Sequence, residues 1–370
     1  MVHELSRQQA RRIAVRAQLL AAPRPTDLLE VVRHLTLLQV DLTAAVAPSA
    51  DVVCWSRLGS SYSPADLEDL LADGSLVEHR LRLRPAEDLS LLRGQMRRDP
   101  QEEYLVARLE WAEANRACHA DILEALRQDG PLPASALPDT CVVPWRSSGW
   151  TNEKNTQRLV NIMEQRGEVA VAGRDGAERL WDLAERVLPD DEVVPPQEAA
   201  RIRDRRRLVA LGIARPTGPA DDVEPGHVGL AGEEAVVEGL RGRWRVEPTY
   251  LEGSFRGRTA LLSPLDRLVM DRKRMTDIFG FDYQLEMYKP VARRRWGYWA
   301  MPVLHGDRLV GKLDASTDQA AGVLRVHALH EDVPFTKTMR AAVDREVRDL
   351  AAWLKVDLVW EQGRRVTGRR

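Results

Sequence analysis

Residues 119–183 constrain the fold more than any other stretch. Asp121-Ile122-Leu123 opens a helix that ends near Gly130, and Pro131-Leu132-Pro133-Ala134-Ser135-Ala136-Leu137 reads as a short second helix. A third helix spans Thr151 to Arg166, with Leu159, Val160, Ile162 and Met163 spaced for burial. Glu168-Val169-Ala170-Val171-Ala172 then alternates as a strand, Gly173-Arg174-Asp175-Gly176 turns, and Glu178 to Leu183 returns. Three helices followed by a β-hairpin is the outline of a winged helix-turn-helix. In DNA-binding versions the third helix enters the major groove and the wing touches the backbone. Lys154, Asn155 and Arg158 would then meet DNA; the same three residues equally suit an exposed helix face packed beside other domains.

The remaining chain divides around this module. Ser6 is placed to cap a helix carrying Ile13, Val15 and Leu19, and Pro25-Thr26-Asp27 starts a second with Leu28, Leu29, Val31, Val32 and Leu35 on its buried face. Ser63-Pro64 begins another, a short strand follows at Leu76-Val77, and a long charged helix is expected over about 86–117. Past a Pro-flanked linker, a helix from Glu198 to Leu211 opens a third small module, with Gly232 to Leu240 as helix and Trp244 to Glu247 as strand. From Thr249 the texture changes to short strands at 259–262, 283–288, 297–304, 308–314 and 322–329, and an amphipathic helix covers about 334–354. The expected fold is α+β: three tandem winged helix-turn-helix modules at 1–118, 119–190 and 191–248, then a C-terminal β-domain with a terminal helix at 249–370.

Charge is balanced, Lys+Arg 54 against Asp+Glu 56, so no global cationic field announces nucleic acid. The arginines are nevertheless clumped at 201–207, 272–274 and 293–295, which favours a polyanion partner over a uniformly solvated surface. Arg293-Arg294-Arg295-Trp296, at an expected hairpin tip, can hold phosphates and set an aromatic ring against a groove; a solvated tip is the alternative. Tyr298 and Trp299 read as core. Cys54, Cys118 and Cys141 lack metal-ligand spacing and are too few for a disulfide framework, and the scattered histidines show no zinc pattern, so no metal and no cofactor are expected. Without a signal-peptide core or a membrane-length apolar stretch, the expectation is a soluble monomer in the cytoplasm, at the nucleoid.

One short segment stands apart chemically. Leu37-Leu38-Gln39-Val40-Asp41-Leu42 sets two polar side chains in an apolar run, where an unpaired buried carboxylate is costly. Gln39 and Asp41 either cap the helices on either side or serve chemistry. In an extended segment residues two apart project to one side, which would let both reach a single atom while Val40 points to the core.

Three further stretches carry a resemblance: Ser263-Pro264-Leu265-Asp266-Arg267-Leu268, Phe279-Gly280-Phe281-Asp282-Tyr283, and Pro302 through Gly311. Together with Leu38-Gln39-Val40-Asp41 and Trp55-Ser56-Arg57-Leu58 they make nearly the whole chain similar to the crosslink-repair (YcaQ/AlkZ-like) winged-helix DNA glycosylase family. The resemblance implies tandem winged helices with a C-terminal β-domain. It also implies hydrolysis of the N-glycosidic bond of N7-alkylated purines in double-stranded DNA, including bulky adducts and interstrand crosslinks from genotoxic natural products. The family signature, Gln, an apolar residue, then Gln or Asp, reads here as Gln39-Val40-Asp41; the Gln form is typical of self-resistance enzymes. Asp41 would stabilise the sugar cation and activate water, and Gln39 would position that water. A Trp-Ala-His-like segment expected of the Asp branch reads Glu78-His79-Arg80-Leu81 here, a departure that bears on lesion range. No lysine is singled out as a Schiff-base nucleophile, so a monofunctional enzyme is expected. The competing class is a non-enzymatic winged-helix DNA-binding regulator, which would bind duplex without releasing base.

Overall fold

A computed structural model of the chain describes residues 2–41, 43–96, 103–147, 152, 154–190, 192–219, 224–361 and 365–367. They gather into two units, one of Met1–Leu67 with Asp204–Arg370 and one of Glu68–Arg203. The whole is mixed α+β. Among the described residues no helix is long and apolar enough to cross a membrane.

In the first unit Ser6 caps the helix Arg7–Ala17 through a capping box with Gln9, which satisfies two otherwise orphaned backbone donors. Ala10, Ile13, Ala14 and Ala17 recur at helical spacing and are buried. Asp27 caps Leu28–Leu35 by accepting from the Glu30 N–H, and Thr36 ends that helix in the left-handed region at φ 66°. The helix Ser49–Leu58 is buried almost throughout.

Segment 232–240, expected to be helical, forms the strand Glu233–Val237 instead. It pairs in parallel with Val2–Leu5 and antiparallel with Trp244–Val246. Alternation decides the outcome: Ala235 and Val237 are buried while Glu233 and Glu234 face out. Gly232, at φ +67°, lies where a Cβ would stand 2.4 Å from the Val246 carbonyl oxygen, so it starts the strand rather than a helix.

The C-terminal sheet begins as the expected meander, Thr259–Leu261, Met301–His305, Arg308–Asp318 and Val323–Glu331, each antiparallel to the next. Asp357–Trp360 and Arg365–Thr367 then pair in parallel with Val323–Glu331. Thr336 caps the helix Lys337–Trp353, which buries Val343, Val347 and Leu350. The strand expected at 283–288 is absent. That stretch wraps around the buried Glu286, whose carboxylate accepts from the Arg295 and Trp296 N–H groups at 2.7 and 2.9 Å and from Lys289 Nζ at 2.8 Å. The Arg295 and Trp296 backbone donors are thereby satisfied by a side chain and not by a strand at 283–288.

In the second unit the expected long helix over 86–117 is broken. A 3-10 turn Ala86–Leu89, helices Ser90–Met96 and Glu103–Ala114, and then Arg116–Asp129 replace it, and residues 97–102 lie outside those described. Asn115 makes the last break, since its side chain bonds the Val143 N–H and carbonyl and the Trp111 carbonyl, each at 3.0 Å. Pro131–Leu137 is no helix: Leu132–Pro133 pairs with Trp181 and Leu180, adding a third strand to the hairpin Val169–Asp175 and Glu178–Leu183. Two prolines in seven residues remove the donors a helix would use. Helix Asn155–Gln165 packs Leu159, Val160 and Met163 with Ile122, Leu126 and Trp181 into one core.

A buried ion pair crosses the first unit. Arg57 and Asp266, 209 residues apart and with both side chains 0% exposed, meet through two hydrogen bonds. Arg57 Nε also donates to the Gln18 carbonyl at 3.1 Å and Nη1 to Ser56 Oγ at 2.8 Å, while Asp266 Oδ1 accepts from the Leu268 N–H. Asp266→Asn is expected to lower unfolding free energy in urea by about 3–5 kcal/mol, because it leaves a guanidinium unpaired in the core. Arg57→Met with Asp266→Leu should recover most of that loss. A drop under about 1 kcal/mol for the single variant would show that the pair is solvated.

Candidate functional site

Gln39 and Asp41 sit where two anchors hold a short half-buried segment. Upstream, Leu37 and Leu38 are buried at 3% and 1% exposure, and Leu38–Gln39 is a strand fragment. The Arg267 guanidinium donates to the Leu35 carbonyl and Thr36 Oγ1, fixing the left-handed turn from which the segment emerges. Arg267 also pairs with Glu224 at 3.3 Å, and Glu224 with Arg207 at 2.8 Å. Downstream, Thr317 bonds the Ala45 and Val46 carbonyls through its N–H and hydroxyl, both at 2.7 Å. Ser49 and Ser263 share a buried hydroxyl contact at 2.7 Å. Residues 263–267 thus fasten both flanks.

Gln39, Val40 and Asp41 are all half-buried, so Val40 is not the core residue expected. Asp41 Oδ1 accepts from the Thr43 N–H at 2.7 Å, an Asx-type turn that orients the carboxylate. Gln39 Oε1 is buried and has no hydrogen-bond partner among the described residues. Neither side chain caps a helix. Thr36 terminates Leu28–Leu35, and Pro48, with no side-chain bond, precedes Ser49–Leu58. The capping alternative is therefore set aside. A buried amide oxygen left open is costly unless something outside the protein supplies a donor, and water is the simplest.

His34, one turn upstream, bonds the Ala17 carbonyl at 2.7 Å and lies 3.5 Å from the Tyr250 hydroxyl. Burial, with Arg267 and Arg57 adding repulsion, lowers its pKa, so the ring is neutral at pH 7. His34 and Arg267 were not singled out in the sequence. The signal for Arg267 was its place in the Ser263–Leu268 stretch; His34 carried none.

The other candidates separate into core and surface. Trp296 is 7% exposed and stacks on Tyr283 at 6.1 Å, so it is a core residue and not a groove-facing ring. The fully buried Lys312 ammonium lies 4.5 Å from its centroid and pairs with Asp332 at 2.7 Å. Arg293 ends an exposed 3-10 turn, not a hairpin tip. Arg294 bonds the Lys289 carbonyl and covers Tyr298, which is 40% exposed and not core; Trp299, at 1%, is core. Arg295 is exposed and pairs with Asp282 at 3.1 Å. Lys154 is exposed just before its helix. Asn155 is committed internally, accepting from the Trp145 N–H at 2.7 Å and donating to Asp139 at 3.1 Å. Arg158 stacks over Trp145 at 4.2 Å, and burial lowers its pKa. Arg207 and Arg274 are buried, so the arginine clumps are not wholly surface features.

The Glu78–Leu81 segment forms a tight turn in the second unit, with Arg80 and Leu81 at φ 51° and 58°. Glu78 holds Arg174 at 2.8 Å, and burial drops the His79 pKa to about 3. Cys118, Asp139 and Cys141 offer ligand atoms within 4.8 Å of one another, the one such group found among the described residues. Burial pushes the Cys141 thiol up, and its sulfur lies 2.9 Å from Cys118 Sγ.

The fold agrees with comparison to known proteins. The structure is similar to that of Streptomyces sahachiroi DNA glycosylase AlkZ, with a TM-score of 0.65 at 16% identity, covering 98% of this chain and 100% of that one. At that identity the likeness is one of fold. The sequence pattern described as DNA glycosylase AlkZ-like matches residues 32–353, a span that contains Gln39, Asp41, Arg57, Asp266 and Arg267. The chain therefore belongs to the AlkZ-like DNA glycosylase family.

Proposed function

We propose that this DNA glycosylase hydrolyses the N-glycosidic bond of N7-alkylated purines in duplex DNA, with Asp41 and Gln39 as its catalytic residues. The observation that carries the reading is the pairing of an oriented carboxylate with an open buried amide oxygen two residues away. N7 alkylation makes the purine cationic and already a good leaving group. The remaining demand is at the sugar, where positive charge builds as the bond to the base breaks. Asp41 answers it as an anion facing the oxocarbenium-like carbon, as in glycoside hydrolysis. One carboxylate oxygen is held by Thr43, so the other is available to take a proton from the attacking water. Gln39 Oε1 accepts the second proton of that water in a hydrogen bond and fixes its approach. Base leaves, water adds at C1′, and an abasic site remains. No covalent enzyme intermediate is needed.

The lesion range extends in this reading to bulky N7 adducts and interstrand crosslinks, with self-resistance to a genotoxic product as one setting. Extrusion of the base is not required, because a labile cationic base can be lost where it lies. Residues 119–190 would act as a winged helix that offers Lys154 and Arg158 to phosphates, flanked by related modules at 1–118 and 191–248. Arg293 and Arg295 would add contacts from the C-terminal domain, at 249–370. A monomer acting in the cytoplasm suffices for this chemistry. Family membership favours an enzyme over a purely regulatory DNA-binding protein.

Methylated duplex DNA incubated with the protein should release free N7-methylguanine and leave alkali-labile sites, with no borohydride-trapped adduct. Uracil-containing duplex, whose base is neutral, should be untouched. Equal release from both would remove cationic leaving-group selection from the mechanism. Gln39→Leu should keep or raise the unfolding midpoint, since an unpartnered buried amide is replaced by an apolar group. The same variant should slow base release by about 10²-fold, the scale of losing one positioned polar group. A variant as active as wild type would leave Gln39 without a role in holding water.

A further inference from the structure

A second site in the same unit is built for a small molecule. The cavity, of about 520 Å³, is walled in part by Leu211, Pro219, Pro225 and Met270 and edged by cationic side chains. That volume is in the range of sites that enclose drug-sized ligands. The carboxylates on its lining are already engaged. Asp277 takes Lys273 and Arg215 at 3.0 and 3.1 Å, Glu224 takes Arg207 and Arg267, and Asp271 accepts the Arg274 backbone N–H at 2.9 Å.

Arg274 is the exception. Its side chain is 3% exposed, Nε donates to the Ile213 carbonyl at 2.8 Å and Nη2 to the Leu211 carbonyl at 2.7 Å. Nη1 has no hydrogen-bond partner among the described residues, nor has His227 Nδ1, on another part of the same lining. Two nitrogens of this guanidinium bind only carbonyls, and burial lowers its pKa to about 10, with the nearby Asp271 carboxylate acting against that shift without a side-chain hydrogen bond to it. An unpartnered guanidinium nitrogen on a lining that also presents Leu211, Pro219, Pro225 and Met270 suits an oxygen acid with a hydrocarbon body.

We propose that this cavity binds a small organic carboxylate, its oxygen accepting from Arg274 Nη1 and its apolar body resting against Leu211 and Met270. The site is distinct from Gln39 and Asp41, and it does not depend on the catalytic reading given above. Arg267 borders both regions, since it lines the cavity and also donates to Leu35 and Thr36.

The probe is 2-naphthoate, titrated calorimetrically into the full-length protein, with methyl 2-naphthoate as the uncharged comparison. One site is expected, with the ester at least about tenfold weaker, as befits loss of a charge-assisted hydrogen bond. Arg274→Met should weaken naphthoate binding by a similar factor. Because that variant also loses two backbone contacts, Gly218→Leu provides a second test. Gly218 lies on the cavity lining, and a Cβ there meets the His227 ring at an ordinary 3.5 Å, so a longer side chain is accommodated at its base and takes up cavity space while Arg274 itself is left unchanged. It should abolish naphthoate binding while the melting transition stays cooperative. Equal binding of acid and ester, unchanged binding in a folded Gly218→Leu, or no binding at all to the wild type would overturn the proposal and leave a water-filled cavity.

Discussion

The buried contact between Arg57 and Asp266 is the constraint on which the segment carrying Gln39 and Asp41 depends. Both side chains are fully enclosed, and each charge has further hydrogen bonds that offset the cost of removing it from water. Apolar residues of similar volume could give equal stability; what an ion pair adds is directionality. It fixes the helix Ser49–Leu58 relative to residues 263–268, and the next residue, Arg267, reaches back to Leu35 and Thr36. Ser263 meets Ser49 from the same stretch. Gln39 and Asp41 are consequently suspended between points that share one rigid support. Displacements of an ångström at a reacting centre can cost orders of magnitude in rate, so rigidity here would serve the proposed reaction.

The chemistry asks little of the protein beyond that placement. A cationic base needs no strong acid to leave, and a site for it needs an anion and a directed water rather than a proton relay. The one histidine close by in sequence, His34, is held neutral by burial and by two arginines and is bound to a backbone carbonyl, which fits a structural role. In the proposed reading selectivity follows from charge: a carboxylate that favours the sugar cation does nothing for a neutral base that still has to be protonated.

Where local chemistry set the structure, the sequence was legible. Ser6, Asp27 and Ser63-Pro64 start helices where the sequence places them. Alternation in 168–172 and the turn-separated apolar stretches at 297–304, 308–314 and 322–329 foretold strands. Errors came where a distant partner overrode the local pattern. Glu233–Val237 became a strand because Val2–Leu5 and Trp244–Val246 flank it. Residues 283–288 lost theirs to the buried Glu286, which takes up backbone donors from nine and ten residues away. Trp296 looked like part of a basic surface run but is drawn inside by Tyr283 and Lys312. The catalytic candidates themselves were visible as two polar side chains in an apolar run. The support that holds them was not, because Arg57 and Asp266 lie 209 residues apart.

The most direct measurement is single-turnover release of N7-methylguanine by wild type and Asp41→Asn at matched concentration and salt. Asparagine keeps the oxygen that accepts from the Thr43 N–H, so folding and DNA affinity should be unchanged while the anion is lost. The expected result is a fall in rate of about 10²–10³-fold with the same unfolding midpoint. Release within about twofold of wild type would contradict an anionic role for Asp41 at the sugar.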